Sequence, residues 1–349
     1  MQAQLIPEFP QQGIKIMTTI SIAMCTYNSE TYLQEQLDSV ANQTRLPNEL
    51  IICDDCSTDR TEDIVRAFAN AVPFKDNFSI NEKQLGSTAN FERAICMCQG
   101  DIIVLADHDD ICYPHQLARI DEAFAKDSTF PDMVFCDADL MDVEGKLLNA
   151  RMWEYFGFGQ RLQSRIKHGE AFDVLLRKHI APGCTLAFRQ KYRSLIVPFP
   201  DVGIHDRWIA LLIAAVGCVH AIPEPLIRYR RHSTQQAGVA LTSITTAFRK
   251  NAVSEQIERA HRPAASIYAD LANLYETAIT RLSETNDYPV NKQVLLKLRE
   301  KVLHLNARST LPRSLWRRIP IVLSELAKLH YFRYSNGIYS LARDIIIGK

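Results

Sequence analysis

Residues 100–110 read Gly-Asp-Ile-Ile-Val-Leu-Ala-Asp-His-Asp-Asp, an apolar run that ends in three aspartates within four positions. Ile102–Ala106 is too short for a helix, carries β-branched residues and shows no polar alternation. It predicts a strand covered on both faces. Working outward, similar runs occur at Ile20–Cys25, Leu50–Cys53, Phe78–Asn81 and Met133–Cys136. Helical patterns lie between them at about 30–41, 60–69, 87–98 and 114–125. Strands alternating with helices of this length predict an α/β fold: a doubly wound, mostly parallel sheet with helices on both faces.

In such sheets ligands bind beyond the carboxyl ends of the strands. The first run is followed by Thr26-Tyr27-Asn28-Ser29-Glu30, the second by Asp54-Asp55-Cys56-Ser57-Thr58-Asp59, and the fourth by Asp107-His108-Asp109-Asp110. Helix capping accounts for one polar residue per turn. Asp59-Arg60-Thr61-Glu62 has the spacing of a capping box, so Asp59 is read as a cap. Capping does not account for Asp107, Asp109 and Asp110 together, whose mutual repulsion calls for a cation. Hard carboxylate oxygens suit Mg²⁺ or Mn²⁺, and one or two carboxylates plus phosphate oxygens is the usual Mg²⁺ arrangement on a nucleotide. No GxGxxG follows the first strand and no GxxxxGK[ST] occurs, which argues against a dinucleotide dehydrogenase and a P-loop NTPase.

The runs SIAMCTYNSETYLQEQLDSVANQT, ELIICDDCSTDRT and GDIIVLADHDDICYP, with His205-Asp206-Arg207-Trp208 and EPLIRYRRHSTQQAG further on, resemble family 2 glycosyltransferases of the GT-A fold. The similarity spans about residues 18–235. It looks most like the bacterial branch that builds surface polysaccharides, rhamnosyltransferases included. The resemblance implies that Thr26, Tyr27 and Glu30 line the nucleoside pocket and that Asp54 and Asp55 read the pyrimidine. It implies that Asp107 is the ribose-side aspartate of a DxD motif, that Asp109 is its metal ligand with Asp110 behind, and that Asp206 is the catalytic base. It implies an inverting, metal-dependent transfer from a UDP- or dTDP-sugar to a glycan or lipid-linked saccharide. Many members carry an acid directly before the base, where this chain has His205, so the role of position 205 stays open. His232 falls where a histidine approaches the pyrophosphate or metal, or is a hydrogen-bonded surface residue. Gly183-Cys184 falls near the acceptor side.

Other residues have competing uses. Arg228, Arg230 and Arg231 suit a phosphate clamp, although alternation on a strand puts Arg231 on the other face. Trp208 opens an apolar helix and is read as core. Trp153, Tyr155 and Phe156 lie in 151–168, read as a loop over the site, and either stack on an acceptor or anchor that loop.

The 349 residues divide as an N-terminal tail at 1–17, a catalytic domain at 18–245 with its halves meeting near 138, and a helical extension at 246–349. Residues 1–17 do not read as a signal peptide, and the run from Trp208 to Val219 falls short of the ~20 residues a bilayer span needs. Nine cysteines, mostly inside apolar runs, suit a reducing compartment. A cytoplasmic protein is expected. The net charge is zero, yet residues 301–349 hold nine Lys/Arg against two acids. That basic tail suits an anionic membrane, with Leu315, Ile319, Leu323 and Leu326 as ordinary core positions on the competing view. No nucleic-acid motif occurs, and homo-oligomer formation is left open. Rival functions are a sugar-nucleotide nucleotidyltransferase, which lacks its basic glycine-rich loop here, an aspartyl phosphatase, which lacks its hydroxyl residue, and a non-catalytic binding or scaffold protein.

Overall fold

The computed structural model describes residues 18–125, 131–232 and 264–346. The expected tail at 1–17 and the boundary near 245 lie outside these residues. The chain begins with β1 (Ile20–Thr26), α1 (Leu33–Ala41), β2 (Glu49–Asp54), α2 (Thr61–Ala69), β3 (Lys75–Ile80), α3 (Ser87–Met97) and β4 (Ile102–Asp107). β1 pairs in parallel with β2 and β4, and β2 with β3. Successive residues of β1 enter opposite cores: Ala23 and Cys25 face one, Ile20, Ile22 and Met24 the other. Both faces of the strand are therefore covered, and its apolar run needs no polar alternation.

The second half inserts antiparallel strands. It contains β5 (Ile111–Cys112), α4 (Gln116–Ala125), β6 (Met133–Met141), β7 (Leu147–Arg151), α5 (Met152–Tyr155), α6 (Gln160–Lys167) and α7 (Ala171–Arg177). Then come β8 (Leu186–Arg189), α8 (Arg193–Ile196), α9 (His205–Val216) and β9 (Val219–Arg230). The sheet order is β3-β2-β1-β4-β8-β6-β9-β5, with β7 beside β6. β8 runs antiparallel to both neighbours, whereas β9 is parallel to β6. The segment 151–168, read as a loop, instead forms α5 and α6 after the end of β7.

Helices α1, α2 and α4 cover one face through residues such as Leu37, Val65 and Ile120. The other face carries α3, α7 and α9, and behind them α10 (Ala264–Glu284) and α11 (Lys292–Ser309), which give Tyr268, Leu274, Leu298 and Leu305 to the same core. The C-terminal helices are thus continuous with the sheet's own core. Arg281 Nη1 reinforces the join by donating to the carbonyls of Leu195 at 2.8 Å and Val197 at 3.0 Å. α12 (Leu315–Ala327), α13 (His330–Tyr334) and α14 (Ile338–Ile346) follow, around a small satellite core of Leu311, Val322 and Tyr331. Among the described residues no helix is long and apolar enough to cross a membrane.

Candidate active site

The parallel register puts Thr26 beside Asp54 and Cys25 beside Asp107, so the polar residues after β1, β2 and β4 share one sheet edge. The first two loops are clasped together. Thr26 Oγ1 donates to Asp54 Oδ1 at 2.7 Å, and Ser57 donates to the same carboxylate through its amide at 2.8 Å and its hydroxyl at 2.6 Å. Asp55 accepts from Asn81 Nδ2 at 2.7 Å and from the Leu85 and Gly86 amides at 2.7 and 2.8 Å. Each loop turns through a left-handed residue, Asn28 or Cys56, neither of them glycine. Tyr27 is exposed at the rim, and Glu30 pairs with Arg60 at 3.3 Å.

Asp59 acts as a local cap, but not in the predicted box. Its carboxylate accepts from the Thr61 and Glu30 amides, both at 3.0 Å, while Glu62 turns to Arg66 at 2.7 Å. Desolvation opposes its charge, but those hydrogen bonds together, led by Thr61, outweigh it and hold the carboxyl below the usual range.

The three aspartates after β4 separate in role. Asp109 Oδ2 lies 2.7 Å from His232 Nε2. Burial opposes its charge, but His232, then His108, keeps its pKa below the ordinary value. Asp110 Oδ1 accepts from the Arg230 amide at 2.9 Å, while its buried Oδ2 has no hydrogen-bond partner. Burial, then the charges of Asp109 and Asp107, raises Asp110 well above the carboxylate range. Burial, then Asp109 and Asp206, pushes Asp107 up to about 7. Ligand atoms of Asp107, Asp110 and Cys184 lie within 4.8 Å of one another. The Cys184 thiol is held protonated by burial and by these carboxylates. Crowded carboxylates and an orphaned carboxylate oxygen fit a hard divalent cation.

Arg230 is one reason the aspartate loop holds its shape. Its buried guanidinium donates Nε–H to the Asp109 carbonyl at 2.9 Å, pairs with Glu35 at 2.5 Å, and lies 4.5 Å from the Tyr32 ring centroid. It is a brace, in place of the phosphate clamp the sequence suggests. Arg228 packs over Tyr113 at 5.5 Å.

Asp206 sits in the first turn of α9, buried. Its Oδ2 accepts from the Gly183 amide at 3.1 Å and lies 3.2 Å from His179 Nε2. Burial opposes the charge, but His179, then His205 and Arg207, hold the carboxyl well below the usual range. The Gly183-Cys184 turn links Asp206 to the strand-end site: the Gly183 amide holds Asp206, and the ligand atom of Cys184 lies within 4.8 Å of those of Asp107 and Asp110. His205 stacks on Phe91 at 4.1 Å, and neither of its buried ring nitrogens has a partner. A Cβ on Gly183 would stand 2.8 Å from His205 Nε2, so only glycine fits there without movement. His179, Gly183 and Arg230 were not assigned these roles from sequence. A lone histidine after a helix and one arginine among three carry no spacing signal.

Trp208 is fully buried and donates Nε1–H to the Ile196 carbonyl at 2.7 Å, as core packing requires. Trp153 is also core, edge-on to Phe158 at 4.7 Å, and so is unavailable to stack on a sugar. The nine cysteines are all free, and Cys53 and Cys56 bond separately, near Ser79 and the Asn81 carbonyl.

A mostly parallel strand-end half, joined through an antiparallel return strand to a second half, is the fold this chain shares with solved GT-A glycosyltransferases. Residues 21–192 match the profile described as Glycosyl transferase family 2. Among curated relatives, an uncharacterised glycosyltransferase of Nostoc sp. is 27% identical over 61% of this chain and 65% of its own length. A dTDP-rhamnosyl transferase of Shigella flexneri is 26% identical over 63% of this chain and 75% of its own. The match covers under two thirds of the Nostoc relative, and 59% of an uncharacterised Mycobacterium bovis protein. Solved structures with the same fold include a Pyrobaculum calidifontis mannosyltransferase in complex with GDP-Man and Mn²⁺ (TM-score 0.53, 18% identity, 90% of this chain and 76% of that one). S. aureus TarS 1-349 in complex with UDP-GlcNAc is another (TM-score 0.52, 16% identity, 94% and 81%).

Proposed function

We propose that the chain transfers a sugar, with inversion, from a UDP- or dTDP-sugar to an acceptor hydroxyl in bacterial surface-polysaccharide synthesis, on the cytoplasmic side of the membrane. The observation that carries this is that Asp206 is held by the Gly183 amide, while the ligand atom of the next residue, Cys184, lies within 4.8 Å of those of Asp107 and Asp110. A module that only bound sugar nucleotides would have no use for a buried carboxylate there.

The residues divide the work. Thr26, Tyr27 and Glu30 flank the nucleoside, with Asp54 and Asp55 at the base. Asp107 takes the ribose. Asp109, Asp107 and Asp110, with His232 beside them, would hold Mg²⁺ or Mn²⁺, which neutralises charge on a leaving diphosphate. Asp206 accepts the proton of the acceptor hydroxyl as that oxygen bonds to the anomeric carbon. The bond from that carbon to the diphosphate breaks, and the electron pair leaves with the diphosphate. His179 and the Gly183 amide orient Asp206 and keep it ionised. The dTDP-rhamnosyl transferase relative supports the donor class, and the mannosyltransferase solved with Mn²⁺ supports the metal. A glycan or lipid-linked saccharide is the acceptor, the latter reached through contact of residues 301–349 with an anionic membrane.

A panel of UDP- and dTDP-sugars, incubated with Mn²⁺ and lipid-linked acceptors, tests this. Release of one nucleoside diphosphate, abolished in Asp206→Asn, is expected. Full release in that variant would overturn the assignment of the base.

A further inference from the structure

Two helices at the C-terminal end are built inside out. Along α12, Trp316, Pro320, Leu323 and Ala327 follow the i, i+4, i+7, i+11 spacing of one helix face, and all four are exposed, Trp316 at 82%. The face turned inward carries Arg318 and Glu325 on either side of Val322, with Ile321 and Leu326 partly buried beside it. α14 repeats the pattern: its buried residues are Ser340 and Asp344, while Ile338, Tyr339 and Ile346 are exposed at 67–77%.

The inward polar groups are paired, apart from Arg318 Nε, so neither helix could turn over without stranding charge. Arg308 grips the Asp344 carboxylate with Nε at 2.6 Å and Nη2 at 2.9 Å, and Tyr331 Oη donates to it at 2.9 Å. Arg318 Nη1 donates to the Asp344 carbonyl at 3.2 Å. His304 and His330 both place Nδ1 against Glu325 Oε2, at 2.7 and 2.8 Å. Val322 still packs inward, but burying this network leaves Trp316, Leu323, Ile338, Tyr339 and Ile346 outside, more apolar surface than an ordinary surface helix exposes.

Charge decides what covers them. Residues 301–346 contain two acids, Glu325 and Asp344, and both are buried. Arg313, Arg317, Lys328 and Arg333 are exposed. Lys328 lies 3.7 Å from Glu325 and Arg333 3.9 Å from the exposed Glu300. Among the described residues, the exposed cations of this segment with no carboxylate against them are therefore Arg313 and Arg317, beside Trp316 on an otherwise apolar and aromatic surface. A second copy of the chain would bring like charge against like. Trp and Tyr beside Arg and Lys, around an apolar stripe, match the headgroup region of an anionic bilayer.

We propose that α12 and α14 dock this chain on an anionic phospholipid surface. The proposal stands on the surface alone and does not depend on the donor chemistry. Flotation of the full chain tests it, using phosphatidylcholine vesicles with and without about one third phosphatidylglycerol. The wild type floats with the anionic vesicles and far less with the neutral ones. At about fivefold per cation lost, Arg313→Glu combined with Arg317→Glu lowers partitioning about 30-fold or more. Trp316→Ser combined with Leu323→Ser also lowers it, and circular dichroism melts show both variants folded as the wild type. Absence of flotation, or flotation that neither pair of changes reduces, overturns the proposal. So does a wild-type dimer that Leu323→Ser dissociates and that never floats, which would assign the face to a second copy.

Discussion

Asp206 is held by three groups from three places in the chain: its own helix, the Gly183 amide and His179. Replacing it with Asn keeps its shape and removes the proton acceptor, so turnover should fall by about 10²–10⁴. Calorimetric binding of the donor should persist. His179 contributes charge as well as a hydrogen bond, and both lower the Asp206 pKa. His179→Gln should therefore raise that pKa. Because the base works deprotonated, the acid limb of the pH–rate profile should move to higher pH. A limb that stays in place would remove His179 from this role. Gly183→Ala puts a methyl 2.8 Å from His205 Nε2, and the His205 ring is stacked on Phe91 and buried. Overpacking of this kind costs about 1–3 kcal/mol. The variant should show a lower melting temperature together with slower turnover.

At the level of elements, the clearest parts in the sequence were β1, β2, β4 and the helices between them, because strands buried on both faces are unbroken apolar runs. β9 was legible only from Leu226 onward. Its first half contains Pro223 and Pro225, which ordinarily break a central strand, and the structure absorbs them with register shifts opposite Asp137. The reversed direction of β8 left no trace in four residues. α12 misled for a physical reason. Its apolar spacing was real and Leu326 does pack on the satellite core, but Leu315 and Leu323 lie outside while Arg318 and Glu325 lie inside. Periodicity reports which residues share a face, not which face is buried.

The same buried network makes the extension sensitive to acid. Burial, helped by Arg308 and Lys301 and opposed by Glu325, lowers His304 to about 4, against about 6.5 in an unfolded chain. His304 and His330 overcome desolvation to bring Glu325 down to about 2, against about 4.3 unfolded. In both cases the unfolded chain binds more protons. Stability is therefore lost as pH falls from about 6.5 toward 4 through His304, then further toward 2 through Glu325. Protection factors of the α11–α14 amides, referred to the intrinsic exchange rate at each pH, should fall steadily on acidification from neutral pH. Protection that peaks near pH 5 would contradict this.

Across the whole molecule, one core joins the sheet to α10 and α11, so the strand-end site and the basic apolar face of α12 and α14 belong to a connected body. The strand-end aspartates were visible as a cluster in the sequence. Their division of labour was not, because it depends on His232, Arg230 and Cys184, which approach only when the second half folds back. The central claim is that these carboxylates hold a divalent ion on a pyrimidine nucleoside diphosphate. Calorimetric titration of UDP and of dTDP, each with Mn²⁺ and with EDTA, on the wild type and on Asp109→Ala tests it most directly. One nucleotide should bind in Mn²⁺, and binding should be lost both in EDTA and in the variant. Binding that EDTA and Asp109→Ala leave unchanged, or no binding of either nucleotide, would contradict the account.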